Sequence, residues 1–563
     1  MSLLLSLVLA VPVQVLPAQA PLTTADPLSY LPEDSLVLLQ IDPEPWKRLG
    51  PATPAHALLQ HEGIQGVLAQ LECPEWSWEL FANYSITAGI GLSDLLAGRV
   101  LLVLEGVAGA PQLDPAAFGE SSLEAQIGGL TVRGAEGAFA WCLDGDRTLV
   151  LLRYPGLGPR PSFDDDVDWL ATRVKASHAQ AGNAAAIPSV AGMRSVVESE
   201  QDLFRLYLPL EQWTFANLGR LAGFDPAVIP FDFGELLVPF GLDKVEGVCW
   251  TTSIDGARFL DLILVFGEEP MAPISTGCYA EDDQPVARLA ALPGDATMAS
   301  LSRFDMKGMV LAMGEMFDSI FSSFGEDWRD NSMAGWVDAA AKIAGTMGNE
   351  IVGVQRAEDL WERRNGAIWF ELEDPAAFQA ALAELPPEVL ALLKQGMDGG
   401  PGSYRLGLTV EGSRAYLARS LAEEEADGTL GESKAFRQLR PWLAERVAAG
   451  RVSGLGYIGP EVSAEGFDSL RRDGLPAEFL RLLPGELDLS GLPDFDFVAA
   501  RIGGTATVAR AIPEGLLMET VSPFGYLGAI LVNPALADAI LQGMSGQSPF
   551  GNAFGAGAYG EEF

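Results

Sequence analysis

The sequence predicts an α+β protein of two homologous halves, each a largely antiparallel, curved sheet with helices packed on one face. Three observations point there. The stretch "LPEDSLVLLQID" at 31–42 has a degraded copy, "LPGDATMASLSRFD", at 292–305. Acidic-Gly turns flanked by β-prone runs, "LDGDR" at 143–147 and "VEGSR" at 410–414, imply hairpins and hence antiparallel pairing. Helix starts such as "DPAAF", identical at 114–118 and 374–378, are interleaved with those hairpins.

Taken in chain order, the first twenty residues, "MSLLLSLVLAVPVQVLPAQA", form an uncharged apolar run ending in Ala18-Gln19-Ala20. A small-x-small end after such a run is what signal peptidase cleaves. Residues 1–20 are therefore expected to direct export, to the periplasm or the cell exterior, and then to be removed. They lack the basic n-region of an ordinary signal. After "LPxD", Leu36 to Leu39 and Ile41 have the pattern of a buried strand. Asp42 and Asp305 then fall where a helix would begin and its free amides need a carboxylate.

In "DPAAF" the Asp accepts from those amides and the Pro takes the first helical position, where no N–H is needed. A helix "WLATRV" at 169–174 follows the first hairpin, and "WLAERV" at 442–447 follows the second. Asp164, Asp165 and Asp166 stand before the first of these, with Arg173 and Lys175 at its other end, as the helix dipole favours. "DGAR" at 255–258 closes a further hairpin, and "FG" at 266–267 returns at 524–525. Met306, Met309, Met313 and Met316 keep helical spacing, as a core-facing stripe would. "DFDF" at 494–497 reads as an amphipathic edge strand with Asp494 and Asp496 on one side.

The landmarks recur in one order, so the chain divides into residues 1–20, a first α+β repeat at 27–288, a second at 289–543, and a Gly-rich tail at 544–563 expected to be disordered. Residues 267–292 have the Pro, Gly and acidic content of a connector.

Composition excludes several classes of function. The 563 residues include 36 Lys+Arg against 76 Asp+Glu, a net charge of −40. Such a field repels phosphate backbones and anionic membranes, so no nucleic-acid partner is expected. No second apolar run of spanning length occurs, so no integral membrane span is expected once residues 1–20 are removed. With three histidines (His56, His61, His178) and no C-x2-C pair, neither zinc nor a histidine-based hydrolase finds its residues. "GAGAYG" at 555–560 satisfies the dinucleotide pattern in letters only, since no strand precedes it. No catalytic, metal or cofactor-binding residue and no cofactor is assigned. Asp144-Gly145-Asp146 is a turn rather than a calcium loop. Cys73, Cys142, Cys249 and Cys278 allow three pairings, all within the first half.

Arg147, Arg258 and Arg414 each follow a hairpin turn and are the candidate ligand or partner contacts. A guanidinium there either grips an anion or pairs across the strand with one of the many acids.

The opening "LPEDSLVLLQID" behind an export signal, the second "LPxD" strand, and "ELEDPAAFQAAL" after an apolar strand together resemble uncharacterised families of bacterial secreted proteins classed as domains of unknown function. That resemblance implies no activity and no catalytic residues. What the two halves share are strand openings, helix caps and turns. A non-catalytic envelope or extracellular protein that binds or scaffolds ranks first, its partner an unknown protein or an apolar or small-molecule ligand. A carrier of an apolar or lipid-like ligand, suggested by a mean hydropathy of +0.18, and a carboxylate-dependent hydrolase are the alternatives.

Overall fold

The run behind "LPED" becomes the strand β1 (Ser35–Ile41), whose neighbours Leu38 and Leu39 point to opposite faces and are both buried. A strand apolar on both sides needs cover on both sides. The computed structural model describes residues 26–47, 57–58, 60–70, 83–107, 121–154, 161–199, 201–213, 238–255, 258–267, 277–280, 283–323, 332–356, 366–385, 408–416, 428–474, 488–523 and 525.

Nine further strands follow in the N-terminal part: β2 (Tyr84–Gly91), β3 (Arg99–Gly106), β4 (Leu123–Ile127), β5 (Leu130–Ala135), β6 (Phe139–Asp144), β7 (Arg147–Arg153), β8 (Asp202–Pro209), β9 (Val245–Asp255) and β10 (Arg258–Gly267). The C-terminal part adds β11 (Ala296–Arg303), β12 (Met347–Arg356), β13 (Ala367–Leu372), β14 (Thr409–Glu411), β15 (Arg414–Tyr416), β16 (Arg451–Ile458), β17 (Thr505–Ile512) and β18 (Gly515–Ser522). Among the described residues all belong to one sheet of 18 strands, with every pairing antiparallel.

From edge to edge the order is β4, β5, β6, β7, β3, β2, β1, β8, β9, β10, then β18, β17, β16, β11, β12, β13, β15, β14. β1 lies between β2 and β8 as β11 lies between β12 and β16. The hairpin β6–β7 pairs onto β3 as β14–β15 pairs onto β13. β10 and β18 then meet side by side in the middle, Phe259 opposite Ser522 through Phe266 opposite Gly515.

Helices α1 (Glu62–Gln70) and α2 (Leu92–Ala97) flank β2, and α3 (Phe163–Ala179) and α4 (Pro188–Val197) precede β8. In the C-terminal part come α5 (Pro285–Ala290), α6 (Met306–Ser323), α7 (Ser332–Ala344), α8 (Pro375–Ala383), α9 (Lys434–Ala448), α10 (Pro460–Asp473) and α11 (Phe495–Arg501). Several expected caps are present: Asp374 accepts from Ala376 and Ala377 N–H at 3.0 and 2.9 Å, and Asp305 from Gly308 N–H at 2.8 Å. Asp42 accepts from Glu44 N–H at 2.9 Å, ahead of a single helical turn. The first "DPAAF", the residues up to 25, the Gly-rich tail and Phe524 lie outside the described residues.

One face of the sheet carries α3 and α4 over a core including Leu38, Leu101, Leu149, Tyr207 and Leu264. That core extends across the seam to Leu517 of β18. On the C-terminal side α5 and α9 cover Leu301, Val352, Leu455 and Val508. Residues distant in sequence also pack together away from these two cores. Leu58 and Ile64 join Ala464, Val498 and Ile502, and Gln70 exchanges hydrogen bonds with the Asp488 backbone at 2.6 and 3.3 Å.

Four expectations change. "DFDF" is no strand: Asp494 caps α11, accepting from Phe497 N–H at 2.8 Å, and helical spacing then stacks Arg501 on Phe497. The two "WLAxRV" helices are not placed alike. α9 follows the bridge Pro293–Thr429 and lies on β16 and β17; its counterpart by position is α4, which follows the bridge Pro32–Asn183 and lies on β8, β9 and β10. α3 lies instead over β4 to β7. What recurs is a local device, since Trp169 stacks on Arg173 and Trp442 on Arg446 one turn apart. The methionine stripe of α6 is incompletely covered, Met313 being 40% exposed, because α6 packs on α7 and its closest-packed positions are the small residues Ala312 and Gly314. The C-terminal end of the connector is packed, with Tyr279 bonded to Val452 and buried against the C-terminal core.

α3 is held down by charge as well as by Leu170 and Val174. Asp166 is 3% exposed and accepts from Arg99 Nε at 3.2 Å and Arg153 Nε at 3.0 Å, two arginines opposite each other in β3 and β7. Removing the carboxylate would leave two desolvated guanidiniums facing each other. Asp166→Ala is expected to cost about 3–5 kcal/mol in chemical denaturation. A loss below about 1 kcal/mol, the level of an exposed pair, would contradict the clamp.

Candidate functional site

The three hairpin arginines end up far apart, in β7 near one edge, β15 near the other, and β10 at the centre. Two of them have cross-strand partners. Arg147 is buried directly opposite Glu105 of β3, with Nη2 3.1 Å from Oε2, and its guanidinium lies over the Tyr30 ring at 5.5 Å. Arg414 sits opposite Glu371 of β13 in the same way, Nε 2.8 Å from Oε1, over the Trp369 ring at 5.5 Å. Cross-strand pairing is the use both turns make of their arginine.

Arg258 differs. Asp255 is its register partner in β9, yet no hydrogen bond or ion pair holds the Arg258 guanidinium among the described residues. The side chain is half-buried, and burial alone pulls its pKa below the usual arginine value. Among the described residues Arg173 and Arg501 also lack a carboxylate partner but donate to backbone carbonyls, Gly182 O and Phe497 O; Arg258 has neither. It reaches beyond β18 to Gly503, where, among the described residues, a Cβ would find nothing nearer than Arg258 Nη2 at 3.8 Å. Gly503 and Gly504 bridge α11 to β17, and a Cβ on Gly504 would lie 3.1 Å from Leu439, Tyr457 and the Ile458 carbonyl, a tight fit that those neighbours would have to yield to.

A second cluster, which spacing did not reveal, lies at the "LPED" corner. Asp94 is 1% exposed and neither carboxylate oxygen has a hydrogen-bond partner of ordinary geometry. Burial, then the nearby Asp34 carboxylate, raises its pKa to about 6. The Gly91 amide, Arg99 and Arg173 pull the other way. Both carboxylates converge on Gly91, whose missing Cβ would lie 2.6 Å from Asp34 Oδ1 and 3.1 Å from Asp94 Oδ2. At the corresponding end of β12 the same register position is Arg356, with Nε 3.2 Å from Asp295 Oδ2. An arginine thus neutralises one corner and a second acid burdens the other. Only the rank of Asp94 as third residue of "LSDLLA" could have hinted at it, as a helix-start acid.

Other reactive groups are occupied or sealed. His178 Nε2 lies 2.9 Å from Asp144, His61 Nδ1 accepts from Gly63 N–H at 3.2 Å, and His56 lies outside the described residues. Cys142 and Cys249 are buried thiols, and burial pushes Cys142 up to about 12 and Cys249 higher still; Cys278 has Arg451 beside it, and Cys73 lies outside the described residues. Among the described residues no group of three or more His, Cys, Asp or Glu converges as a metal site would, and no helix is long and apolar enough to cross a membrane.

Neither a protein-family model nor a curated protein matches the chain. Among solved structures, two crystal forms of TP0453 align over 48% and 46% of this chain and 88% and 90% of theirs. Each shares 10% identity, with TM-scores of 0.23 and 0.24. Scores at that level carry no inference about fold or function.

Asp94 supplies a pH test. Its folded pKa lies above that of an unfolded aspartate, so folding favours the protonated form. The stability this contributes is present below pH 4 and is lost as pH rises toward and through 6. Asp94→Asn, fixed in the neutral form, is expected to match the parent near pH 4 and to exceed it by about 2–3 kcal/mol above pH 7. Denaturation curves across that range would show it. A difference independent of pH would contradict the burden assigned to Asp94.

Proposed function

We propose that the chain is an exported, non-catalytic envelope or extracellular protein with a binding or scaffolding role, built by duplication and fusion of one α+β module. The observation that carries this reading is Arg258, the hairpin arginine left without a partner among the described residues and half-buried at the seam between β10 and β18. A cation kept from internal neutralisation is available to a group from outside.

Duplication is supported by the shared strand connectivity. The bridges Pro32–Asn183 and Pro293–Thr429 and the ion pairs Arg147–Glu105 and Arg414–Glu371 support it as well. What these matched positions have in common is architectural. Export is supported by the apolar run and Ala18-Gln19-Ala20. Against a carboxylate-dependent hydrolase stands the burial of Asp94: at 1% exposure the raised acid beside Asp34 is closed to a substrate.

Native mass spectrometry of the chain purified from its own envelope tests the reading. A stoichiometric co-purifying protein, glycan or small ligand is expected. Recovery of the bare chain, or of a hydrolytic activity that Asp34→Asn abolishes, would overturn it.

A further inference from the structure

The binding reading above leaves the chemistry of the ligand open, and the surroundings of Arg258 narrow it. A guanidinium presents donors in a planar fork and accepts nothing, so its complement is a group with two acceptor oxygens and a negative charge. Among the described residues none supplies that group. Asp255, the nearest acid by register, is exposed at the hairpin and leaves Arg258 unpaired. Half-burial removes part of the water that would otherwise solvate the charge.

The wall facing the guanidinium is backbone without a side chain. Gly503 leaves the space beside Arg258 Nη2 open, and its amide donates no backbone hydrogen bond within the described fold, because α11 has ended and β17 has not begun. Gly504 fixes the position of that backbone through its contacts with Leu439 and Tyr457.

We propose that Arg258 and the Gly503 backbone form a binding site for a single carboxylate or phosphate group of the ligand. Binding proceeds by charge-assisted hydrogen bonds to the guanidinium, with the Gly503 amide as a further donor. The inference rests on the binding role, and it concerns only the group that docks at the seam. The −40 field opposes polyanions, whereas one anionic group meeting a partly desolvated arginine needs only local complementarity.

The test uses the full-length chain titrated calorimetrically with inorganic phosphate and separately with acetate, with chloride as the control at matched ionic strength. One of the two anions is expected to bind, and which one does so identifies the source of the group. Arg258→Gln is expected to weaken that binding at least tenfold, and Arg258→Lys less. Gly503→Ala, which puts a methyl group into the gap, should weaken it while leaving the unfolding midpoint within a degree or two. Equal affinity in Arg258→Gln and the parent, or binding of neither anion by the parent, would overturn the site. If a partner co-purifies equally with the parent and with Arg258→Gln, the anion site fails while the binding role stands. If none co-purifies with either, the binding role itself fails.

Discussion

The pairing of β10 with β18 is the constraint on which the rest depends. Each strand ends its own run of hairpins, β9–β10 and β17–β18, and each would be an open edge without the other. An open edge with Leu262, Ile263, Leu264 and Val265 along it would invite pairing with other chains. Antiparallel pairing of the two ends satisfies both ladders at once and turns two sheets into one. It also brings Leu517 into the N-terminal core and sets Arg258 at the seam.

Across the sheet most buried charges are locked in pairs. Asp166 takes Arg99 and Arg153, and Glu519 takes Arg446 and Arg510. Arg147 and Arg414 stack on aromatic rings while pairing with glutamates, so each turn arginine is fixed from two directions. Asp94 and Arg258 break the pattern in opposite senses, one an acid pressed toward neutrality by burial and by Asp34, the other a cation with no anion among the described residues. Such departures from self-neutralisation are where a fold spends stability for a reason other than folding.

Much of the fold was legible because the signals were local. The Asp374 cap, the "LDGDR" and "VEGSR" turns, and the strand after "LPED" each depend on residues within four or five positions of one another. The errors have the same origin. "DFDF" alternates as a strand would, but Pro493 and the capping geometry of Asp494 start a helix that packs on α10 and on Leu58 and Ile64. "WLATRV" and "WLAERV" match because a Trp–Arg stack one turn apart suits any amphipathic helix, so the match says nothing about position. As for the site, the sequence placed arginines after turns but could not tell Arg258 from Arg147 and Arg414. The difference lies in Glu105 and Glu371, which are distant in sequence and brought opposite by strand register. Asp94 was invisible for the same reason, its burden arising from Asp34 across Gly91.

Native-state hydrogen exchange at the seam tests the central claim most directly. If β10 and β18 are the interior of one cooperative sheet, the amides of 259–266 and 515–522 should exchange together and among the slowest in the molecule, near the free energy of global unfolding. Exchange of both segments at the fast rates of edge strands, while β1 and β11 stay protected, would mean that the two parts fold apart and that no seam joins them.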